Sequence, residues 1–288
     1  MPELPEVEIV KRSLKNKLNF KKIKKVIINN RNLRFKIEKK FENFLEGKSI
    51  TNISRISKYI VLTLNKKYYC LIHLGMSGTL HLVKYKKKEK NTNLSFYNSR
   101  ILPKKHNHIK IKFHDCMIVY NDPRRFGFFK IFNDKNELKK SFYKLGPEAI
   151  SKEFNFKYLK KKLKNKKKNI KNCLLDQSFV SGIGNIYANE ILFYSKINPF
   201  KLGMEINDNE IKKLEKYTKF VLELAIKFGG SSIRDFKDSK GLSGFFQNEF
   251  KVYNRENKSC IIKNCNSKIY KIFISNRSSF FCKSCQKK

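Results

Sequence analysis

Apolar residues open the chain at three- and four-residue steps, at Val7, Val10, Leu14 and Leu18, and the spacing predicts an amphipathic helix over residues 5 to about 18. The period then shortens. Runs at 26–28, 59–64, 68–74, 108–113, 117–120 and 128–132 are rich in β-branched and aromatic residues and are broken by Asn, Gly, Lys or Pro, which predicts the strands of a β-sandwich or barrel. The breaker Leu145-Gly146-Pro147-Glu148 marks a linker, and 151–228 reads as helical, with Ile211, Leu214, Tyr217, Val221, Leu224 and Phe228 on one face before Gly229-Gly230 stops it. Within this region Gly182-Ile183-Gly184-Asn185 precedes a helix over 186–197. Such a turn either presents backbone N–H groups to a phosphate or simply joins two helices. The expected organisation is a β-rich domain over 1–134, a linker over 135–150, a helical domain over 151–229 and a terminal segment over 230–288.

Composition adds a partner. The 288 residues carry a net charge of +41, which calls for a polyanion, nucleic acid first, because each cation that neutralises a phosphate releases condensed counterions. Ten of the 65 basic residues are Arg, leaving 55 Lys, so many lysines reflect a lysine-rich composition and cover ordinary solvated surface, the runs at 86–88 and 160–168 included. The arginines are more informative, since a planar fork is harder to replace. No apolar run has the length of a membrane span, and Glu3, Glu6 and Glu8 do not fit a signal peptide, so a soluble, cytoplasmic protein is expected.

Cys260, Cys265, Cys282 and Cys285 leave gaps of four, sixteen and two residues, the arithmetic of a tetrahedral zinc site. Between the inner pair a strand-like stretch from Lys268, a turn at Ser275-Asn276-Arg277-Ser278 and a return strand predict a zinc-pinned β-hairpin with Arg277 at its tip. Four thiolates leave no open position, so one structural ion is expected. Cys70, Cys116 and Cys173 read as core residues or incidental thiols.

The second residue carries the chemistry. Removal of Met1 would expose the secondary amine of Pro2 beside the Glu3 carboxylate, and a terminal amine with a pKa near neutrality is a competent nucleophile. Proline at this position also simply permits methionine removal, so Pro2 alone does not decide.

Five motifs in order do decide. Met1-Pro2-Glu3-Leu4-Pro5-Glu6-Val7-Glu8, His73-Leu74-Gly75-Met76-Ser77-Gly78, Asn121-Asp122-Pro123-Arg124-Arg125-Phe126-Gly127, the stretch from Gly182 to Glu190, and the cysteine tail ending Cys285-Gln286 closely resemble bacterial formamidopyrimidine-DNA glycosylase over the whole chain. The resemblance implies an α+β multidomain fold: an N-terminal β-sandwich with flanking helices, a helix-two-turn-helix domain and a C-terminal zinc-bound β-hairpin, with DNA in the cleft between. It implies a monomeric base-excision-repair enzyme, a glycosylase and AP lyase acting on double-stranded DNA with oxidised purines or abasic sites.

In that chemistry the proline amine attacks the anomeric carbon, expels the damaged base and forms a Schiff base, and the sugar is lost by β- and δ-elimination. Carried over, Pro2 is the nucleophile, Glu3 the proton donor and acceptor at the sugar, Lys58 a proton donor for β-elimination and Arg277 the candidate at δ-elimination. Met76, Arg124 and Phe126 match the wedge that fills the gap left by the extruded nucleotide. Phosphate contacts fall to Lys58, His73, Asn185 and Arg277, with His106, Arg124 and Lys167 as further candidates. His106 and His108, two apart in a strand-like run, are expected to face one side. The first cysteine gap of four exceeds the commoner family gap of two, and the lesion-covering loop corresponds to residues 233–244. Two alternatives stand beside this: an endonuclease VIII type enzyme for oxidised pyrimidines, against which Leu4 and the stretch from Phe246-Gln247 to Val252-Tyr253 favour the purine branch, and a non-catalytic basic zinc protein that binds nucleic acid.

Overall fold

The computed structural model describes residues 2–85, 102–231 and 245–287. The chain divides into two compact units, Met1–Tyr143 with Phe228–Phe245, and Lys144–Lys227 with Phe246–Lys288. Met1, the lysines at 86–88 and the lesion-loop segment at 233–244 lie outside the described residues.

The first unit opens with helix α1, Leu4–Leu18, for which Glu3 is the N-cap and Pro5 sits in the first turn, where its missing N–H costs nothing. The Glu3 N–H is satisfied by Glu6 Oε2 at 2.9 Å. Val7, Val10, Leu14 and Leu18 all enter the core, as their period requires. Two four-stranded antiparallel sheets follow. One has the order β1 (Lys25–Ile28), β6 (Asn107–Lys112), β7 (Cys116–Asn121), β5 (Thr79–Lys84), and the other β2 (Ile50–Ile56), β3 (Tyr59–Leu64), β4 (Tyr68–His73), β8 (Phe128–Phe132). The six strands read from the sequence are present. The sequence reading missed β2 and β5. Strand β2 is interrupted by a register shift between Ile50 and Asn52 that breaks the apolar alternation, and β5 carries Thr79 and His81 as buried polar residues, so it does not read as apolar. Short helices α2 (Phe41–Leu45) and α3 (Lys135–Lys140) flank the sheets.

The second unit holds four helices, α4 (Phe156–Leu163), α5 (Ile170–Leu175), α6 (Asn185–Tyr194) and α7 (Asp208–Lys227), around a core that includes Leu159, Cys173, Ile183, Tyr187, Leu214 and Val221. Gly184 caps α6, and Gly182 has φ +103°, a conformation that suits a residue without Cβ. The hairpin β9 (Ile269–Ile274) and β10 (Arg277–Cys282) packs its inner face, with Cys260, Val252 and Phe280, against Phe193 of α6. Polar groups of α6 fix that contact. Asn189 Oδ1 accepts from the Phe280 N–H at 2.7 Å, and the fully buried Glu190 carboxyl accepts from the N–H groups of Lys251, Val252 and Tyr253 at 2.9, 3.0 and 2.8 Å. Gln286 Oε1 accepts from the Cys282 N–H at 3.0 Å while its Nε2 donates to the Ile197 carbonyl at 2.8 Å.

Candidate active site

In the first unit Pro2 and Glu3 are buried at the start of α1. Glu6, one turn on, uses its second oxygen to accept from the N–H and Oγ of Ser231 at 2.8 and 2.9 Å, so α1 is tied at its first turn to the start of the later segment, Phe228–Phe245, that belongs to this unit. Lys58 lies in the two-residue turn between β2 and β3, where Ile56 pairs with Tyr59, and it is only 6% exposed. This is not the environment of an ordinary surface lysine.

Tyr59 is in register with His73 at the end of β4, and the Lys58 charge reaches that imidazole. Burial, the Arg34 guanidinium and the Lys58 ammonium push His73 down to about 4, against a smaller opposing effect of Asp122, so the ring is neutral at pH 7. Its Nδ1 accepts from the Gly75 N–H at 3.1 Å, which puts the ring proton on Nε2 as a donor. The ring is held flat against Phe128, with centroids 5.3 Å apart and planes at 19°.

Beyond His73 two loop tips meet. Gly75, at φ +68°, approaches so closely that a Cβ there would lie 2.4 Å from the Gly127 nitrogen. Asp122, 0% exposed, braces both loops: its carboxyl accepts from Ser77 Oγ, from Tyr120 Oη at 2.9 Å and from the Gly127 N–H at 2.9 Å, and Ser77 Oγ in turn accepts from the Arg124 N–H at 3.2 Å. The braced tips present Met76, 41% exposed, and Phe126, 44% exposed, with the Arg124 guanidinium 4.6 Å from the Phe126 ring centroid. They border a cleft of about 750 Å³ with Arg34, His73 and Arg125. The structure therefore gathers His73, Met76, Arg124 and Phe126, while the buried Pro2, Glu3 and Lys58 lie outside the lining of that cleft.

His106 and His108 flank Asn107 at the start of β6. His106 precedes the strand with φ +65° and is exposed, whereas His108 is buried with Nε2 2.8 Å from the Asp122 carbonyl. The two rings are nonetheless neighbours, with centroids 6.4 Å apart and planes at 55°, so they lie on one side as expected and differ in exposure.

In the second unit Arg277 is exposed at the hairpin turn, after Ser275 and Asn276 at φ +47° and +59°. Asn185, at the first position of α6, donates from Nδ2 to the Ser278 carbonyl at 3.0 Å, so its amide steadies the Arg277 turn. Lys167 is exposed between α4 and α5. Lys171, just past the lysine run at 160–168, is fully buried, donating to the Ser278 carbonyl at 2.8 Å and to Ser279 Oγ at 2.6 Å. Composition could not have separated it from its solvated neighbours. Asp122 and Glu6, by contrast, sit inside motifs already singled out.

The ligand atoms of Cys260, Cys265, Cys282 and Cys285 all lie within 4.8 Å of one another. Three of the sulfur pairs are 3.5, 3.7 and 3.8 Å apart. A tetrahedral ion with metal–sulfur bonds of about 2.3 Å requires edges of roughly 3.8 Å, so the four thiols fit a metal ion.

A basic two-unit protein with a β-sandwich, a helical module and a four-cysteine hairpin is of the formamidopyrimidine-DNA glycosylase class. The family model for the formamidopyrimidine-DNA glycosylase N-terminal domain matches residues 1–129, and the model for the H2TH domain of the same glycosylase matches residues 145–237; the chain belongs to this family. It is 40% identical over 287 residues to the formamidopyrimidine-DNA glycosylase of Wolbachia pipientis from Culex pipiens, covering 99% of this chain and 100% of that one. A Lactococcus lactis enzyme mutant solved with THF-containing DNA superposes with a TM-score of 0.89 at 32% identity, and another solved with Fapy-dG-containing DNA with 0.88 at 32%, each covering 100% of both chains.

Proposed function

We propose that this chain excises oxidised purines from double-stranded DNA as a bifunctional glycosylase and AP lyase. The observation that carries the reading is the Asp122-braced pair of loop tips: a thioether, a guanidinium and an aromatic ring held side by side at the mouth of a cleft with neutral His73 beneath. Those three groups suit the gap left by an extruded nucleotide, where stacking must be replaced and an orphaned base hydrogen-bonded. Neutral His73 donates through Nε2 to a phosphate without adding charge.

Pro2, freed by removal of Met1, supplies the lone pair that attacks C1′ as the glycosidic bond breaks, with Glu3 moving the proton at the sugar. The resulting iminium acidifies C2′, Lys58 protonates the leaving 3′ oxygen in β-elimination, and Arg277 serves the second, δ-elimination. Arg124 and Lys167 add phosphate contacts, as does exposed His106. Asn185 is assigned to orienting the Arg277 turn as well as to phosphate. The four cysteines hold one zinc ion, which supplies a structural pin for the hairpin. No helix of the described residues is long and apolar enough to cross a membrane.

Oxidised pyrimidines are the second reading. Cleavage of duplexes with a single 8-oxoguanine, formamidopyrimidine or thymine glycol separates the two: the purine lesions should be excised faster, with 3′- and 5′-phosphate ends at the gap. Faster cleavage of thymine glycol would overturn the purine assignment.

A further inference from the structure

The turn that carries Lys58 is strained and clamped from one side. Ser57, the first of its two residues, has φ +54°, and a hairpin turn with positive φ at that position favours glycine. Serine there needs something to hold it. Arg55, the last residue but one of β2, does so with its fork: Nη1 donates to the Ser57 carbonyl at 2.8 Å, while Nε donates to Glu8 Oε2 at 2.9 Å. Both members of the Arg55–Glu8 pair are buried, and Glu8 is itself immobilised, its other oxygen taken by Lys11 and Arg12 at 2.7 and 2.8 Å. Burial raises the Glu8 carboxyl, but the hydrogen bonds from Lys11, Arg55 and Arg12 outweigh it and hold it below the ordinary carboxylate range, so it stays charged. Glu8 belongs to α1, the helix that begins with Pro2 and Glu3.

We infer that Arg55 is a positioning residue for the elimination step: through its fork it couples the Glu8 carboxylate of the nucleophile's helix to the Ser57 carbonyl and so fixes the direction in which Lys58 reaches the sugar. This rests on the role proposed above for Lys58. A lysine substituted at Arg55 supplies a point charge for Glu8 but cannot hold two acceptors in fixed geometry, and a methionine supplies neither.

The test follows single turnovers on an 8-oxoguanine duplex, measuring base release and strand nicking separately in wild type, Arg55→Met, Arg55→Lys, Arg55→Met with Ser57→Gly, and Lys58→Met. Base release by Arg55→Met should stay within about threefold of wild type while nicking falls tenfold or more, with DNA affinity within about twofold. Arg55→Lys should fall between the two, and Ser57→Gly should restore part of the nicking because glycine adopts the turn without the clamp. A purely structural role lowers release and nicking in proportion, and that result, or an unchanged ratio in Arg55→Met, overturns the inference. If Lys58→Met nicks as wild type does, the role of Lys58 falls and takes the inference with it. If Lys58→Met is impaired and Arg55→Met is not, only the inference fails.

Discussion

Asp122→Ala should damage stability and base extrusion together. The carboxyl is fully buried and accepts from Ser77 Oγ, Tyr120 Oη and the Gly127 N–H, the last two at 2.9 Å. Alanine removes all three acceptor contacts. The Gly127 N–H and the Tyr120 hydroxyl are buried with it, and a stranded buried donor costs about 1–3 kcal/mol. Allowing Ser77 to find water, the two remaining donors amount to about 4 kcal/mol. For a unit of this size that corresponds to a Tm lower by roughly 10 °C. Asp122→Asn retains one acceptor and should lose about half as much. Differential scanning calorimetry measures the first effect. The fluorescence of 2-aminopurine opposite an abasic analogue measures the second, since unbraced Met76, Arg124 and Phe126 should no longer hold the partner strand open. An alanine variant that melts within about 2 °C of wild type and gives the wild-type fluorescence change would refute the view that Asp122 organises both loops.

Two further outcomes concern the cysteine cluster and a buried histidine. Metal analysis should find one zinc per chain, and Cys285→Ala should lose it and open the segment from Arg255 to Gln286 to limited proteolysis; retention of zinc and of protection would contradict the four-thiol site. Burial holds His81, 1% exposed, down to about 4, against an unfolded value near 6.5. Between those values the unfolded chain binds a proton that the folded chain does not, so stability falls as pH is lowered, by about 2 kcal/mol for this residue at pH 5. Urea unfolding at pH 7 and pH 5 should therefore show a smaller loss in His81→Gln than in wild type, and equal losses would count against it.

Much of the fold was legible from period: α1 announces its core side in full, whereas on α7 Ile211, Leu214 and Val221 are buried as read, Tyr217 and Leu224 are half-buried, Phe228 just beyond it is exposed, and Thr218, Leu222 and Ala225 complete the buried face. What escaped has a common physical origin. Strand β2 carries a register shift and β5 buries Thr79 and His81, so neither alternates cleanly. The candidate site was read from motifs that also contain Asp122 and Glu6, but the contacts those supports make were not legible, because they join residues far apart in sequence. Ser77 meets Asp122 across 45 positions, and Lys171 meets Ser279 across 108. No local pattern distinguishes a lysine that will be buried under a hairpin from the seven of the run at 160–168, none of which is buried.

The central claim is that the amine of Pro2 forms the covalent intermediate. Borohydride reduction during reaction with 8-oxoguanine or abasic duplex should trap a one-to-one adduct, and mass spectrometry of its peptides should place the sugar remnant on an N-terminal peptide that begins at Pro2, with Pro2→Gly or a retained Met1 abolishing or strongly reducing it. Protein with a free Pro2 that binds damaged duplex but yields no adduct, or an adduct mapped to a lysine with Pro2 unmodified, would contradict the account.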